Sequence, residues 1–326
     1  MTGNEPITHS STPVAPLITV AICTRNRAAF LQRAVESVLS QMTGDTELLI
    51  VDNASTDNTP EIAARLAAAN PRVKAWREAE LGLSAARNAA LLRSPGRWVI
   101  FLDDDVVVES GWLNAYREFL SAPPADRIAV VGSLVLMDYE TPPPKWLNAA
   151  VKFDLGPVSK RISGQAGPWG CNIAYLRQAA IETGMFNKDL GHKGAAIGAN
   201  EEIDLTLRLE KAGFEIWWLA GGNIRHFVAP ERVRWGWRFR SQFNQGRASA
   251  TMRLSRIYRK PFRLAYRLGR IVITPFHMLL CLLAALFSLP RQHGQTSAGY
   301  LLRSIRIAGT GWQLLVNWNS PGGGQP

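Results

Sequence analysis

Residues 99–106 read V-I-F-L-D-D-D-V, an apolar run that stops abruptly at three consecutive aspartates. The run predicts a buried strand, and open α/β sheets bind their ligands at the carboxyl ends of strands. Three adjacent carboxylates repel one another and are costly to keep in a partly buried place, so a bound divalent cation would stabilise them. Their hard oxygen ligands suit Mg²⁺ or Mn²⁺. The triplet therefore predicts a cation site after the strand, and a solvated acidic turn is the alternative.

Strands and helices alternate over the first third of the chain. Apolar, β-branched runs predict strands at residues 17–23, 47–51 and 72–76 and in the aspartate-rich run. Predicted helices follow these strands at residues 30–39, 60–69, 84–92 and 109–120. This alternation predicts an α/β domain with a mostly parallel, doubly wound sheet. The polar residues after three of the strands (24–27, Asp52 and 103–105) are then expected along one edge, where a nucleotide would lie.

The middle of the chain is less regular. Further strands are predicted at residues 128–137, 169–175, 214–219 and 223–228, and the Pro-rich stretch 141–168 is predicted to be irregular. A Gly-rich segment at residues 191–199 predicts a mobile loop. It leads into Glu201, Glu202 and Asp204, and Leu205 is predicted to open the helix that follows. Ordinary helix N-capping is one explanation for these carboxylates.

Cysteine and glycine usage excludes several classes of protein. Cys23, Cys171 and Cys281 are far apart and form neither a zinc-finger spacing nor a disulfide framework, which favours a reducing compartment. The first strand is not followed by G-x-G-x-x-G or by G-x-x-x-x-G-K-[ST]. This argues against a dinucleotide enzyme and against a P-loop NTPase.

The distribution of charge marks a boundary near residue 231. No aspartate or glutamate occurs after Glu231, whereas 15 lysines and arginines do. The chain before that point carries 22 basic and 26 acidic residues. Such an asymmetry indicates a functional boundary.

The basic C-terminal region predicts an association with membranes. Residues 232–270 contain 12 lysines and arginines with interleaved aromatic residues, and residues 271–289 carry no charge. A run of 19 residues is close to the roughly 20 that span a bilayer, although Pro275 also allows a re-entrant or in-plane helix. Residues 299–316 form a second amphipathic segment. The basic and aromatic flank suits anionic lipid headgroups. Nucleic-acid binding and a buried apolar helix are the alternatives, and the long apolar run favours the membrane.

Five stretches, in this order, resemble the family 2 glycosyltransferases. They are T-V-A-I-C-T-R-N-R at 19–27, L-L-I-V-D-N-A-S-T-D-N-T at 48–59, G-L-S-A-A-R-N-A-A-L at 82–91, the aspartate-rich run, and E-E-I-D-L-T-L-R-L at 201–209 with I-R-H at 224–226. The resemblance covers residues 17–228. It implies a GT-A (Rossmann-like) fold and an inverting enzyme that uses a nucleotide-sugar donor.

The resemblance also implies roles for individual residues. The expected nucleotide-binding and substrate-binding residues are Thr24, Arg25, Asn26, Asp52 (with Asp57 nearby), Arg87, Asn88, Asp103 and Asp104. Asp103 and Asp105 are the outer members of a D-x-D motif, with Asp103 facing the ribose and sharing the metal with Asp105. His226 matches a histidine that often completes the metal site, and a satisfied strand-end histidine is the alternative.

The general base implied by the resemblance is Glu202, and Asp204 is the fallback. Family members usually carry Glu-Asp where this chain has Glu201-Glu202, and a glutamate is chemically equivalent but one methylene longer. A metal can neutralise the departing nucleoside diphosphate without a protein acid. One carboxylate then suffices to take the acceptor proton, whereas a glycoside hydrolase needs two.

We therefore expect a metal-dependent, inverting glycosyltransferase with Mg²⁺ or Mn²⁺ as cofactor. Its expected parts are a flexible tail (1–16), a GT-A catalytic domain (17–230), a helical membrane-associated region (231–320) and a disordered tail (321–326). The Q-x-x-R-W signature of processive synthases is absent, which favours a single transfer to a lipid-linked or membrane-proximal glycan at the cytoplasmic face of the inner membrane. The alternatives are an inactive homologue that serves as a membrane scaffold, and a sugar-1-phosphate nucleotidyltransferase.

Overall fold

Alternating strands and helices build one central sheet, as the apolar periodicity predicts. The computed structural model describes residues 17–147, 154–193, 198–255, 260–288 and 294–316. The strands are β1 (Ile18–Thr24), β2 (Thr46–Asn53), β3 (Val73–Glu78), β4 (Trp98–Leu102), β5 (Val106–Val108), β6 (Ile128–Tyr139), β7 (Lys160–Ile162), β8 (Asn172–Leu176) and β9 (Glu215–Val228). The helices are α1 (Ala28–Leu39), α2 (Thr59–Ala69), α3 (Leu83–Arg93), α4 (Trp112–Ser121), α5 (Arg177–Glu182), α6 (Glu201–Lys211), α7 (Trp235–Ser255), α8 (Lys260–Ser288) and α9 (Gly294–Val316).

The nine-stranded sheet has the order β3-β2-β1-β4-β8-β6-β9-β5, with β7 paired to β9. Its first four strands are parallel. Beyond β4 the orientations are mixed, because β8 is antiparallel to both of its neighbours while β6 and β9 run parallel. The predicted α/β class is confirmed. Because β2, β1 and β4 are parallel neighbours, the loops after them meet at one edge of the sheet.

Two apolar layers cover the faces of the sheet. Ile18, Val20 and Ile22 of β1 pack in the layer that contains α1, α2 and α4. Ala21, on the opposite face of the same strand, packs in the layer with α3, α5 and α6. Each fully buried aliphatic side chain contributes about 1.5–3 kcal/mol, so these layers hold the strand ends in fixed positions.

Three sequence-based boundaries were wrong. The strands predicted at 214–219 and 223–228 are one strand, β9, whose pairing with β6 continues past an irregularity between Ser133 and Val135. Helix α6 begins at Glu201 rather than Leu205, so its acidic residues lie inside its first turn. The stretch predicted to be irregular contains β7 and a 3₁₀ helix at Gly164–Ala166. The predicted tails, 1–16 and 321–326, lie outside the described residues, as do 194–197 of the Gly-rich loop and residue 289.

The C-terminal helices pack against one another through glycines. A Cβ atom at Gly246 of α7 would lie 1.9 Å from the carbonyl oxygen of Arg306 on α9, and one at Gly309 would lie 1.9 Å from that of Phe243. The stretch Leu264–Leu286 of α8 is the one segment within the described ranges that is long and apolar enough to cross a membrane. Large apolar side chains along it, including Phe276 and Leu280, are exposed.

Candidate active site

The loops after β1, β2 and β4 are joined by side-chain hydrogen bonds. The Thr24 hydroxyl donates to Asp104 Oδ2 at 2.7 Å, and the Asn26 amide donates to Ser55 Oγ at 2.9 Å. Arg25 donates to the carbonyl oxygens of Asn53, at 2.7 Å, and of Ala54. These bonds bring together the predicted nucleotide-binding residues Thr24, Arg25 and Asn26.

Asp52 lies beside this junction and is buried. Its Oδ1 accepts a 3.3 Å hydrogen bond from the Ser55 amide. Its Oδ2 is buried and accepts no hydrogen bond from any described residue; the nearest cationic atom is Nη1 of Arg77, 3.7 Å away. A buried carboxylate oxygen without a donor is free to accept one from a ligand.

Asp103, Asp104 and Asp105, which we call the aspartate cluster, differ in their surroundings. Asp104 is buried, and burial together with the charge of Asp105 raises its pKa to about 7, against the opposing effects of Arg27 and the Thr24 hydrogen bond. Asp103 is the more accessible member, with 36% of its side chain exposed. Asp104 therefore connects the loops, whereas Asp103 is open to solvent.

Asp105 is surrounded by two guanidinium groups and one imidazole. Its Oδ2 accepts from Arg27 Nη2 at 3.1 Å and from Arg232 Nη2 at 3.2 Å. Its Oδ1 lies 3.3 Å from Nε2 of His226. The structure thus brings the predicted metal ligands Asp105 and His226 together. Sequence reasoning missed the two arginines; Arg27 is the last residue of the T-R-N-R loop, and Arg232 is the first basic residue after the charge boundary.

Arg87 connects the aspartate cluster to α6. It is buried, and its guanidinium contacts Glu201 Oε1 at 2.8 Å, Asp103 Oδ1 at 3.3 Å and the Gly170 carbonyl oxygen at 3.0 Å. Burial alone would lower the pKa of Arg87, but the charges of Glu201 and Asp103 outweigh this effect and raise it above its usual range. Asn88, also predicted to lie beside the nucleotide, instead uses its amide on the backbone of Phe186, at 2.9 and 2.8 Å.

Glu201, Glu202 and Asp204, which we call the helix cluster, occupy the first turn of α6. Burial and the charge of Glu201 raise the pKa of Glu202 well above its usual range, although Arg87 opposes this. Asp204 accepts a 2.8 Å hydrogen bond from Arg208 Nε, four residues along the helix. Within the described residues Glu202 forms no ion pair, so it differs from both of its neighbours.

A divalent cation fits residues at and beside the aspartate cluster. One ligand atom from each of Asp103, Cys171 and His226 lies within 4.8 Å of the others, and Asp105 Oδ1 faces the same imidazole. Nδ1 of His226 is buried and has no hydrogen-bond partner among the described residues. Carboxylate and imidazole ligands suit Mn²⁺, and carboxylates suit Mg²⁺. No local sequence pattern indicated that Cys171 lies near a cation site, because Asp103 and His226 come from other strands.

The chain is similar in sequence to known glycosyltransferases. The model of glycosyl transferase family 2 matches residues 19–184. The hyaluronan synthase of Pasteurella multocida is 36% identical over 116 residues, which are 35% of this chain and only 12% of that synthase. The glucosyl-dolichyl phosphate glucuronosyltransferase of Haloferax volcanii is 23% identical over 247 residues, 73% of this chain and 77% of that enzyme.

A solved structure shares the fold. The mannosyltransferase of Pyrobaculum calidifontis, in complex with GDP-Man and Mn²⁺, superposes with a TM-score of 0.59 at 20% sequence identity. The match covers 95% of this chain and 89% of that one. The predicted GT-A fold is confirmed.

Proposed function

Because the chain belongs to glycosyl transferase family 2, we propose that this glycosyltransferase inverts the anomeric carbon of a nucleotide-sugar donor in a metal-dependent transfer. The observation that carries the proposal is the pair of contacts made by Arg87. Its guanidinium binds Asp103 of the aspartate cluster and Glu201 of the helix cluster. The candidate cation ligands and the candidate base therefore lie on either side of one side chain.

Glu202 is the proposed general base. A base must bind a proton during transfer, and a carboxylate with a raised pKa does so more readily than an ion-paired one. Burial and Glu201 raise the pKa of Glu202. Asp204, the fallback, accepts a hydrogen bond from Arg208 and forms an ion pair with it. Arg208 also donates to the carbonyl oxygens of Thr183 and Met185. We therefore assign proton transfer to Glu202 and a structural role to Asp204.

Asp103, Asp105 and His226 are the proposed ligands for Mg²⁺ or Mn²⁺. When bound, the cation neutralises the diphosphate that leaves. The solved mannosyltransferase contains Mn²⁺, which supports a divalent cation without choosing between the two. Arg27 and Arg232 hold Oδ2 of Asp105, so the chain's own residues fix the orientation of this carboxylate.

The loops after β1 and β2 are the proposed nucleotide site. Oδ2 of Asp52, which accepts no hydrogen bond from a described residue, is suited to accept one from an N–H group of the base. Thr24, Arg25 and Asn26 shape the site through the bonds that join these loops. Arg87 holds Asp103 in position, Asp104 joins the loop after β4 to Thr24, and Asn88 fixes the segment at Phe186.

The proposed acceptor is a lipid-linked or membrane-proximal glycan, extended by one sugar per encounter. The apolar surface of α8 supports this, because only 6% of an 18-residue apolar stretch within Leu264–Leu286 is buried against the rest of the protein. The dolichyl phosphate substrate in the name of the Haloferax relative is an example of such an acceptor. We propose that residues 231–320 attach the 17–230 domain to the cytoplasmic face of the inner membrane by binding anionic lipids. The basic residues of this region then bind lipid headgroups and not nucleic acid.

The reaction is tested with a panel of UDP-, GDP- and dTDP-sugars and a bacterial lipid extract as acceptor. We expect one donor to release its nucleoside diphosphate in Mg²⁺ or Mn²⁺ but not in EDTA, and the product to have the inverted anomeric configuration by NMR. Asp105→Asn should lower the rate by about 100-fold or more, whereas the exposed control Asp126→Asn should not. Release of inorganic pyrophosphate from a nucleoside triphosphate and a sugar 1-phosphate would instead identify a nucleotidyltransferase.

Membrane attachment is tested by co-sedimentation with vesicles that contain or lack anionic lipid. The double variant Phe276→Ser, Leu280→Ser removes two exposed apolar side chains of α8 and is expected to weaken binding at least about tenfold. Val158→Ser, an exposed apolar residue outside the helices, is the matched control. Equal binding of all three proteins would contradict attachment through α8. Vesicle binding without any turnover would favour the scaffold.

A further inference from the structure

Cys171 lies beside the aspartate cluster because of the strand register. Strands β4 and β8 are antiparallel, with Leu102 opposite Asn172. Asp103 and Cys171 each extend the pairing by one residue at the same end. His226 comes from β9, where it pairs with Val106. Three strands thus bring a carboxylate, a thiol and an imidazole to one place.

The position of Cys171 is fixed by its two chain neighbours. The Gly170 carbonyl oxygen accepts a 3.0 Å hydrogen bond from Arg87. The Asn172 side chain accepts from Trp112 Nε1 at 3.1 Å and donates to the Gly222 carbonyl oxygen at 2.8 Å. Cys171 itself is buried, with 5% of the residue exposed. These hydrogen bonds fix the backbone on both sides of Cys171 and so hold its sulfur near the other two ligand atoms.

We propose that Asp103, Cys171 and His226 bind a thiophilic divalent cation, represented by Zn²⁺, at a site that shares Asp103 and His226 with the proposed transfer site and adds Cys171. The three side chains supply a carboxylate oxygen, a thiolate sulfur and an imidazole nitrogen. Three protein ligands with one position left open are a common Zn²⁺ arrangement. Binding releases the Cys171 thiol proton to solvent, because the thiolate is the ligand.

The distances are compatible with such a site. Zn²⁺ lies about 2.0–2.3 Å from its ligand atoms, so tetrahedral ligands are separated by roughly 3.3–3.8 Å. The three atoms in this chain lie within 4.8 Å of one another. The ligand atoms therefore approach one another by up to roughly 1–1.5 Å when Zn²⁺ binds.

Occupancy by Zn²⁺ would compete with the cation of the transfer reaction. The sulfur ligand favours Zn²⁺ over Mg²⁺, and nitrogen and oxygen ligands also bind Zn²⁺ more tightly than Mn²⁺. His226 and Asp103 belong to both proposed sites, so both cations cannot be held at once. This inhibition rests on the proposed function, whereas Zn²⁺ binding itself does not.

The experiment measures Zn²⁺ affinity of the full chain by competition with a chromophoric chelator. Cys171→Ser is expected to weaken binding at least about tenfold, because even lost support of a ligand costs about 10-fold to 100-fold in metal affinity. Cys281→Ser, on α8, is the matched control and should bind as the parent does. Added Mn²⁺ should lower the apparent Zn²⁺ affinity of the parent protein.

A second measurement starts from the parent protein and does not depend on the folding of Cys171→Ser. Co²⁺ added to the parent protein should produce a thiolate-to-metal absorption band that persists in Cys23→Ser and Cys281→Ser. Absence of the band, or equal Zn²⁺ affinity in the parent and in Cys171→Ser, would overturn the site. Because these readouts require no sugar transfer, a failed transferase assay leaves their result intact.

Discussion

Among the described residues, each carboxylate of the aspartate cluster contacts a cationic side chain, whereas one carboxylate of the helix cluster does not. Asp105 alone has Arg27, Arg232 and His226 around it. In the helix cluster Arg87 pairs with Glu201 and Arg208 pairs with Asp204. Glu202 stands between these pairs without an ion pair among the described residues.

The difference follows from the chemistry that each cluster is proposed to perform. Carboxylates that bind a cation must remain ionised, and nearby positive charge favours their ionised form. A carboxylate that accepts a proton needs the opposite environment, and burial with a like charge supplies it. The surroundings of Glu202 therefore support a base more strongly than its sequence position does.

The largest effect is expected from neutralising that unpaired carboxylate. Glu202→Gln keeps the shape of the side chain but cannot accept the acceptor proton. We expect transfer to fall by about 100-fold to 10,000-fold, with donor binding unchanged by calorimetry. Glu118→Gln, an exposed substitution on α4, is the control. If Glu202→Gln keeps full transfer while Asp204→Asn loses it, the two acids have been assigned the wrong way round.

The next effect concerns Arg87, which connects the two clusters. Arg87→Met removes the cation and leaves Glu201 buried with a charge and no partner. Removing one member of a buried ion pair costs about 3–5 kcal/mol of unfolding free energy. Thermal or urea unfolding measures this loss.

A double variant separates the lost ion pair from lost packing. Arg87→Met with Glu201→Gln no longer contains the unpaired charge, so it should recover part of the lost stability. No recovery would mean that the contacts of Arg87 with Asp103 and Gly170 account for the whole effect.

A smaller effect is expected in the pH dependence of transfer. Because the pKa of Glu202 is raised, the rate should increase with pH through a range above that of an ordinary glutamate. After burial, Glu201 is the main cause of this shift. Glu201→Gln removes this charge and should move the rising limb of the pH profile to lower pH. At pH values below the midpoint of the parent protein's limb, the rate of the variant should be about threefold to tenfold higher. If the rising limb does not move, the pH dependence of the rate is not caused by the titration of Glu202.

Much of the fold could be predicted because strands and helices leave local patterns. The runs before Thr24 and before Asp103 became β1 and β4 with shifts of one or two residues at their ends. The residues that follow them meet because parallel strands bring their carboxyl ends together. The convergence of Asp52, Thr24 and Asp104 at one edge needed no further information.

The remaining features depend on contacts between distant residues. Arg232 lies 127 residues from Asp105, and the periodicity of its own segment carries no sign of that contact. Cys171 approaches Asp103 only because β8 runs antiparallel to β4, and the sequence predicted no such reversal. Asn88 was assigned from its motif, which gave no sign that its amide donates to and accepts from the backbone of Phe186.

The smallest effect concerns Asp104, the member of the aspartate cluster that is most costly to ionise. Its pKa is raised from 3.8 to about 7 by burial and Asp105, so the stability associated with its protonated form is present at low pH and lost as pH rises through about 7. Between about pH 6 and pH 8 this loss amounts to about 1.4 kcal/mol. Asp104→Asn can still accept the Thr24 hydrogen bond and carries no charge. In EDTA, Asp104→Asn should not lose this stability between about pH 6 and pH 8. The difference in unfolding free energy between the variant and the parent protein should therefore be larger at the higher pH.

Asp126→Asn is the control for Asp104→Asn, because Asp126 is exposed and its substitution removes no buried charge. Equal pH dependence in the parent protein and Asp104→Asn would mean that Asp104 is already ionised throughout this range. The positive charge of Arg27, whose Nε lies 3.6 Å from Asp104, would then outweigh burial and Asp105. In that case all three aspartates would resemble one another, and the contrast with Glu202 would be sharper, because the helix cluster alone would retain a carboxylate that prefers its proton.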